Sequence, residues 1–293
     1  MLHWLSDPFT LGFMQRALVA SLIVGVVCSV LGCYVVLRSM AFLGDALAHA
    51  VLPGVAIAYL VGGNLLVGAL VAALLVAFGI SFFTRQGAIK EDTAIGILFA
   101  AALSLGVVLI STARTYTVDL THVLFGNVLG VTLGDLVLTG ALAVLVLGTV
   151  LALYKELLLM TFDPVLAHTL RRRPELLRTV LLVLVAVTVV VSLPTVGVGL
   201  LAAMLVTPGA TAYLLTRRLA RMMVVAATLG ELSAVAGLYL SYYANVASGA
   251  AIVLVATGFF VLTYLAAPRQ GLLARRLRRR KVATATGEGG VGS

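Results

Sequence analysis

The chain has 293 residues, 62% of them in the hydrophobic set and only 11% charged, and its mean hydropathy is +1.16. Soluble globular domains carry about 25% charged residues, so this composition excludes them and defines a polytopic membrane protein. The formal net charge of +9 does not call for a nucleic-acid partner, because the basic residues lie in short clusters between apolar runs and are accounted for by orientation in a bilayer.

Crossing a hydrocarbon layer of about 30 Å takes about 20 helical residues. Nine runs meet that length, at about 13–37, 41–60, 64–84, 92–112, 132–154, 176–194, 197–216, 221–241 and 248–267. An all-α bundle of about nine transmembrane helices is expected, or eight if the first or second run is only partly inserted. The opening "MLHWLSDPFTLGFMQRAL" lacks the basic stretch and small-residue cleavage site of a removed signal peptide, so its apolar part is expected to stay as a helix. Cys28 and Cys33 stand five apart in the first run, pointing in different directions on a helix, and read as reduced packing residues. The joints are short: "GGN" at 62, "RQGAIKED" at 85, "SLPTVG" at 192 and "ANVASG" at 244. The piece "THVLFGNVLGV" (121–131) is too short to span and reads as a re-entrant or interfacial helix.

With nine alternating crossings, Arg38, Arg85, Lys90, Lys155, Arg171 to Arg173, Arg178, Arg217, Arg218, Arg221 and the stretch from Arg269 to Lys281 fall on one side. Only Arg16 and Arg114 fall on the other, which predicts an N-terminus outside and a C-terminus in the cytoplasm. Residues 1–268 form the transmembrane unit and 269–293 a basic tail, whose end "VATATGEGGVGS" has nothing to bury and is expected to be disordered. Small residues recur inside the runs, as in "GALVAALLVAFG" and "GVGLLAAMLVTPGATA", and predict close helix approach.

A charge at mid-bilayer costs about 2.5–3.5 kcal/mol on insertion scales, so such residues usually face a cavity or a partner. Asp45, His49 and Glu231 fall within the runs. Asp45 and His49 are four apart and share one helix face, where a carboxylate oxygen and an imidazole nitrogen can meet on one divalent ion. Pro53 has no N–H for the carbonyl of residue 49, which suggests a broken or re-entrant helix around Gly44 and Gly54. The competing reading makes Asp45 a cap for a helix starting at Ala46 and bonds His49 to a neighbouring helix. Glu231 reads either as a second pathway ligand or proton carrier, or as a protonated or helix-paired glutamate. "VDLTH" (118–122), with Asp119 and His122, either collects cations at an entrance or is a solvated loop; His3 and His168 stand alone. Thr207-Pro208 suggests a kink or hinge.

Between the fifth and sixth runs, "KELLLMTFDPVLAHTLRRRPELLR" (155–178) carries Asp163 as a helix cap and Pro164 at the first helical position, with the helix ending near the arginines. Such a helix can dock into another protein's groove or lie on anionic lipid. The tail stretch "RQGLLARRLRRRK" reads as a lipid-surface anchor, with a partner contact as the alternative.

Together, "FLGDALAHAVLPG" (42–54), "IKEDTAIGILFA" (89–100), "YTVDLTHVLFGNVLGV" (116–131), "ELLLMTFDP" (156–164), "LVTPGATAYLLTRRLARM" (205–222), "GLYLSYY" (237–243) and "SGAAIVLVATGFF" (248–260) resemble the permease subunit of the metal-ion ATP-binding-cassette importers. The resemblance runs to about residue 269. It implies a type II importer-like permease that pairs with a second copy or a close paralogue. An ATPase subunit dimer would bind ATP-Mg, and an extracytoplasmic solute-binding protein would deliver Mn²⁺, Zn²⁺ or Fe²⁺ as cargo. It further implies a bacterial inner-membrane location, Asp45 and His49 lining the ion path, and a coupling helix over Asp163, Pro164, Val165, Leu166, Ala167, His168, Thr169, Leu170 and Arg171. Pro53, Thr207, Pro208 and Glu231 are the further candidates for pathway or hinge. The chain has no phosphate-cradling glycine loop of its own, so it is read as a transport subunit and not an enzyme, without a resident cofactor. The "IKEDTAIGI" and "VDLTHVLFGN" wording is closer to the manganese and iron branch than to the zinc branch. A secondary transporter driven by an ion gradient is the rival reading. An intramembrane metalloprotease would need His-Glu-x-x-His, which is absent.

Overall fold

The structure, a computed structural model, describes residues 12–85, 89–112, 130–170 and 173–266. The expected short helix at 121–131, the Asp119/His122 stretch and the basic tail lie essentially outside these residues. The described chain is helical throughout and contains no strand. Its elements are α1 (Gly12–Leu37), α2 (Leu43–Ala50), α3 (Leu52–Val61), α4 (Leu65–Thr84), α5 (Glu91–Thr112), α6 (Leu133–Ala152), α7 (Tyr154–Phe162), α8 (Pro164–Thr169), α9 (Pro174–Leu215), α10 (Leu219–Ala244) and α11 (Ser248–Ala266).

Among the described residues, eight helical stretches are long and apolar enough to cross a membrane, with α2 and α3 together forming one. The eighth-versus-ninth question is decided by α9. Its 42 residues would make a straight rod of about 63 Å, twice the hydrocarbon thickness. Yet Pro174 at its start and Thr216 just past its end both line cavities that contain Leu37. The element is therefore a hairpin, and its turn is Gly197, the one interior residue outside helical geometry (φ 76°, ψ 166°). That backbone region is open essentially to glycine alone. The two arms correspond to the runs expected at 176–194 and 197–216. The helix persists through "SLPTV", including Pro194, and reverses only at the last residue of that joint. Thr207-Pro208, expected to kink, stays within helical geometry.

Counting the two arms of α9 separately gives nine helical passes among the described residues, so Gly12 and Ala266 lie at opposite ends of the bundle. One end gathers Arg38, Arg85, Arg178, Arg217 and Arg218; Arg16 sits near the start of α1 at the other.

The core is built around α1 and the second arm of α9. A Cβ at Gly32 would overlap the carbonyl of Leu205, so only glycine lets these backbones touch. Close approach of this kind supplies the packing that lipid cannot, since hydrocarbon tails compete equally for apolar side chains. Leu31, Leu201 and Leu205 are fully buried there. By contrast, Val137, Val144 and Leu151 on α6 and Leu75 and Phe82 on α4 are exposed, as lipid-facing surfaces require. Cys28 and Cys33 are free and buried, as expected, and the Cys33 thiol donates to the carbonyl of Ser29.

Candidate functional site

The site begins with the turn that leaves α1. Ser39 adopts a left-handed conformation (φ 58°); its N–H donates to Val36 O, and that of Met40 to Val35 O. This is a Schellman cap, with serine where glycine is usual, and it reverses the chain into α2. Helix α2 starts at Leu43, not at Ala46, so Asp45 lies inside the first turn and is not the cap. There its carboxylate still complements the exposed N–H groups of the helix end.

Asp45 and His49 face each other across one turn, with Oδ1 and Nε2 3.6 Å apart. Their side chains are 48% and 29% exposed. The Asp45 carboxylate thus keeps free coordination capacity, and the imidazole is fixed on one side. The ring of Phe99, from α5, lies 5.7 Å from that of His49, tilted by 59°. His49 Nδ1 is buried without a hydrogen-bond partner. The carbonyl of His49, which Pro53 leaves without its usual donor, accepts from the N–H of Val51. The break itself stands as expected: α2 ends at Ala50 and α3 begins at Leu52, with Pro53 in its first turn. It falls near the middle of the 19-residue pass, and His49 lies about 9 Å along that pass from its basic end.

Behind the break, Pro53, Gly54, Val67 and Leu105 line a groove of about 550 Å³ between α3, α4 and α5. Its one polar side chain, Asn64, caps α4 by accepting from Leu66 and Val67 N–H, so the groove offers an ion no ligands. Among the described residues no group of three or more His, Cys, Asp or Glu side chains could share a metal. Among the described residues Asp45 and His49 stand as a pair, with no third group of this kind beside them.

The other candidates are dispersed. Leu205, on the second arm of α9, packs on Gly44, which places Thr207 and Pro208 on the arm that supports α2. Glu231 is half-buried on α10, beside a glycine that packs on Gly25 and Ser29 of α1, and it has no hydrogen bond or ion pair among the described residues. At the basic end, Asp163 accepts from the N–H of Leu166 at 2.9 Å and starts α8, as its cap position predicts. Helix α8 buries Ala167 and turns Val165, Leu166 and, just beyond, Leu170 outward. Arg171 lies outside the described residues.

A second polar centre was not anticipated. Glu91, at the start of α5, accepts from Arg38 through both carboxylate oxygens, and Arg178 lies 3.4 Å from one of them. Arg38 also reaches Met160 Sδ, and Arg178 the carbonyls of Ser81 and Thr84. These three charged side chains are only 13–17% exposed. In the sequence they read as orientation charges and a loop acid, since partners 53 and 87 residues apart leave no local signal. Phe99 was hidden likewise, as one more aromatic in an apolar run.

The chain, an all-helical bundle with a broken second pass and a short helix α8 at its basic end, matches known transporters along nearly its whole length. The chain belongs to the ABC 3 transport family, which it matches over residues 10–267. It is 47% identical over 276 residues to the manganese transport system membrane protein MntC of Halalkalibacterium halodurans, covering 94% of each chain. It is 49% identical over 262 residues to the MntC of Listeria innocua, covering 89% of this chain and 93% of that one. The solved structure of PsaBC from Streptococcus pneumoniae in complex with Fab superposes with a TM-score of 0.81 at 38% identity, covering 94% of this chain and 99% of that one. The protein is thus a metal-type ABC transporter permease, a membrane transport component and not an enzyme.

Proposed function

We propose that the chain is the permease of an ATP-driven importer of divalent metal, with Mn²⁺ as its cargo. The observation that carries this reading is the Asp45/His49 pair, half-exposed and adjacent to a broken helix, in a chain whose relatives are named as manganese transport proteins. Two ligands cannot hold a six-coordinate ion, so two copies, or this chain and a paralogue, supply two carboxylates and two imidazoles to a shared path. That set binds Mn²⁺, Fe²⁺ and Zn²⁺, and the intrinsic order favours zinc. Selection of manganese therefore falls to geometry and to the binding protein that hands over the ion.

The basic end faces the cytoplasm, which places the N-terminus outside and the C-terminus inside. The exposed apolar side chains Val165, Leu166 and Leu170 then seat in the ATPase subunit. ATP-driven closure of that dimer moves α8, reorients the bundle and lets the ion pass inward.

The test is uptake into proteoliposomes containing permease, ATPase and binding protein. The expected result is ATP-dependent Mn²⁺ uptake exceeding that of Zn²⁺. Uptake driven by a pH gradient without ATP would overturn the reading and establish a secondary transporter.

A further inference from the structure

The Arg38–Glu91–Arg178 cluster lies where the passes meet the coupling segment, and its connections lead to the ligand pair by two routes. Arg38 is the last residue before the Schellman turn, and seven residues later the same segment presents Asp45. Glu91 opens α5, and two turns along that helix Phe99 rests against His49. On the opposite side, Arg38 contacts Met160 of α7, which leads directly into α8, while Arg178 sits in the first turns of α9, which leads directly out of it. Glu91 thus ties Arg38, which stands just before α2 and touches α7, to Arg178 of α9, and its own helix brings Phe99 onto His49.

We propose, building on the importer reading above, that Glu91 is a positioning residue that conveys movement of α8 to Asp45 and His49. A largely buried carboxylate held by two guanidinium groups cannot lose one of them cheaply, so the helices it joins move together or the cluster rearranges as a unit. Arg38, Glu91 and Arg178 border a cavity of about 430 Å³, which leaves room for such a rearrangement, and Arg178 Nε is buried and unpaired, a donor that favours any state supplying it an acceptor. The cluster is then a two-position element, biased by the ATPase at one end and by the ion ligands at the other.

The experiment measures ions delivered per ATP hydrolysed in the reconstituted complex, for wild type, Glu91→Gln, Glu91→Asp and Phe99→Leu. Glutamine keeps the shape and removes the charge. The expected result is a fall of at least about fivefold in ions per ATP for Glu91→Gln, the low end of typical coupling between sites. Glu91→Asp should recover part of the loss, and the concentration of loaded binding protein giving half-maximal uptake should hold constant. Phe99→Leu, which leaves the cluster intact, should lower the ratio as well. A Glu91→Gln complex with the wild-type ratio overturns the proposal. If that variant does not assemble, Arg38→Lys and Arg178→Lys keep the charge and lose the planar fork: a lowered ratio supports the proposal and an unchanged one overturns it. Wild type without ATP-dependent uptake would instead refute the importer reading, a separate failure.

Discussion

Asp45 and His49 are held by one short helix and a single ring contact, whereas Arg38, Glu91 and Arg178 bind five elements together through six hydrogen bonds, counting those to Met160, Ser81 and Thr84. The first centre is half-exposed and under-coordinated, and the second is largely buried and densely bonded. The difference fits the roles proposed for them. A transient ligand has to release its ion, so its own fold must not depend on it; a structural tie must persist while the helices around it move.

Substitutions can break this contrast. Asp45→Ala or His49→Ala should lower metal uptake by about 100-fold or more, the upper end of what losing even an outer-sphere partner costs a metal site. Their stability should change by about 0.5 kcal/mol or less, as at other partly exposed positions. Uptake kinetics and a thermal melt in detergent check the two halves. Gly197→Ala forces a Cβ into a conformation reserved for glycine and should cost about 1–3 kcal/mol, read as a lower melting temperature. Arg38→Ala removes charge-assisted bonds from Glu91 and should cost about 2 kcal/mol in the same melt, the reverse of the Asp45 result. The smallest effect is expected for Asp163→Ala, where losing the cap of α8 costs about 1 kcal/mol locally and should show as faster amide exchange confined to α8.

Much of this was legible in the sequence because the bilayer imposes a length. Runs of about 20 apolar residues mark passes, and the expected boundaries at 41–60 and 64–84 fall within two or three residues of those observed. The four-residue spacing of Asp45 and His49 and the Asp163-Pro164 start of α8 are local patterns, and local patterns survive folding. The α9 hairpin was legible as two runs, but its helix continues through Pro194 because the bilayer leaves the backbone no other way to satisfy its hydrogen bonds until Gly197 permits a reversal. The Glu91 cluster was not legible, since its members meet only when folding brings the end of α1 and the starts of α5 and α9 together. Nor was the His49 carbonyl, where a turn donor from Val51 replaces the bond that Pro53 withholds.

The most direct measurement is electron paramagnetic resonance of Mn²⁺ trapped in the assembled transporter. One ion per two permease chains is expected, with nitrogen hyperfine coupling that disappears in His49→Ala. A fully occupied Mn²⁺ site without nitrogen coupling, or with coupling untouched by that substitution, would contradict this expectation.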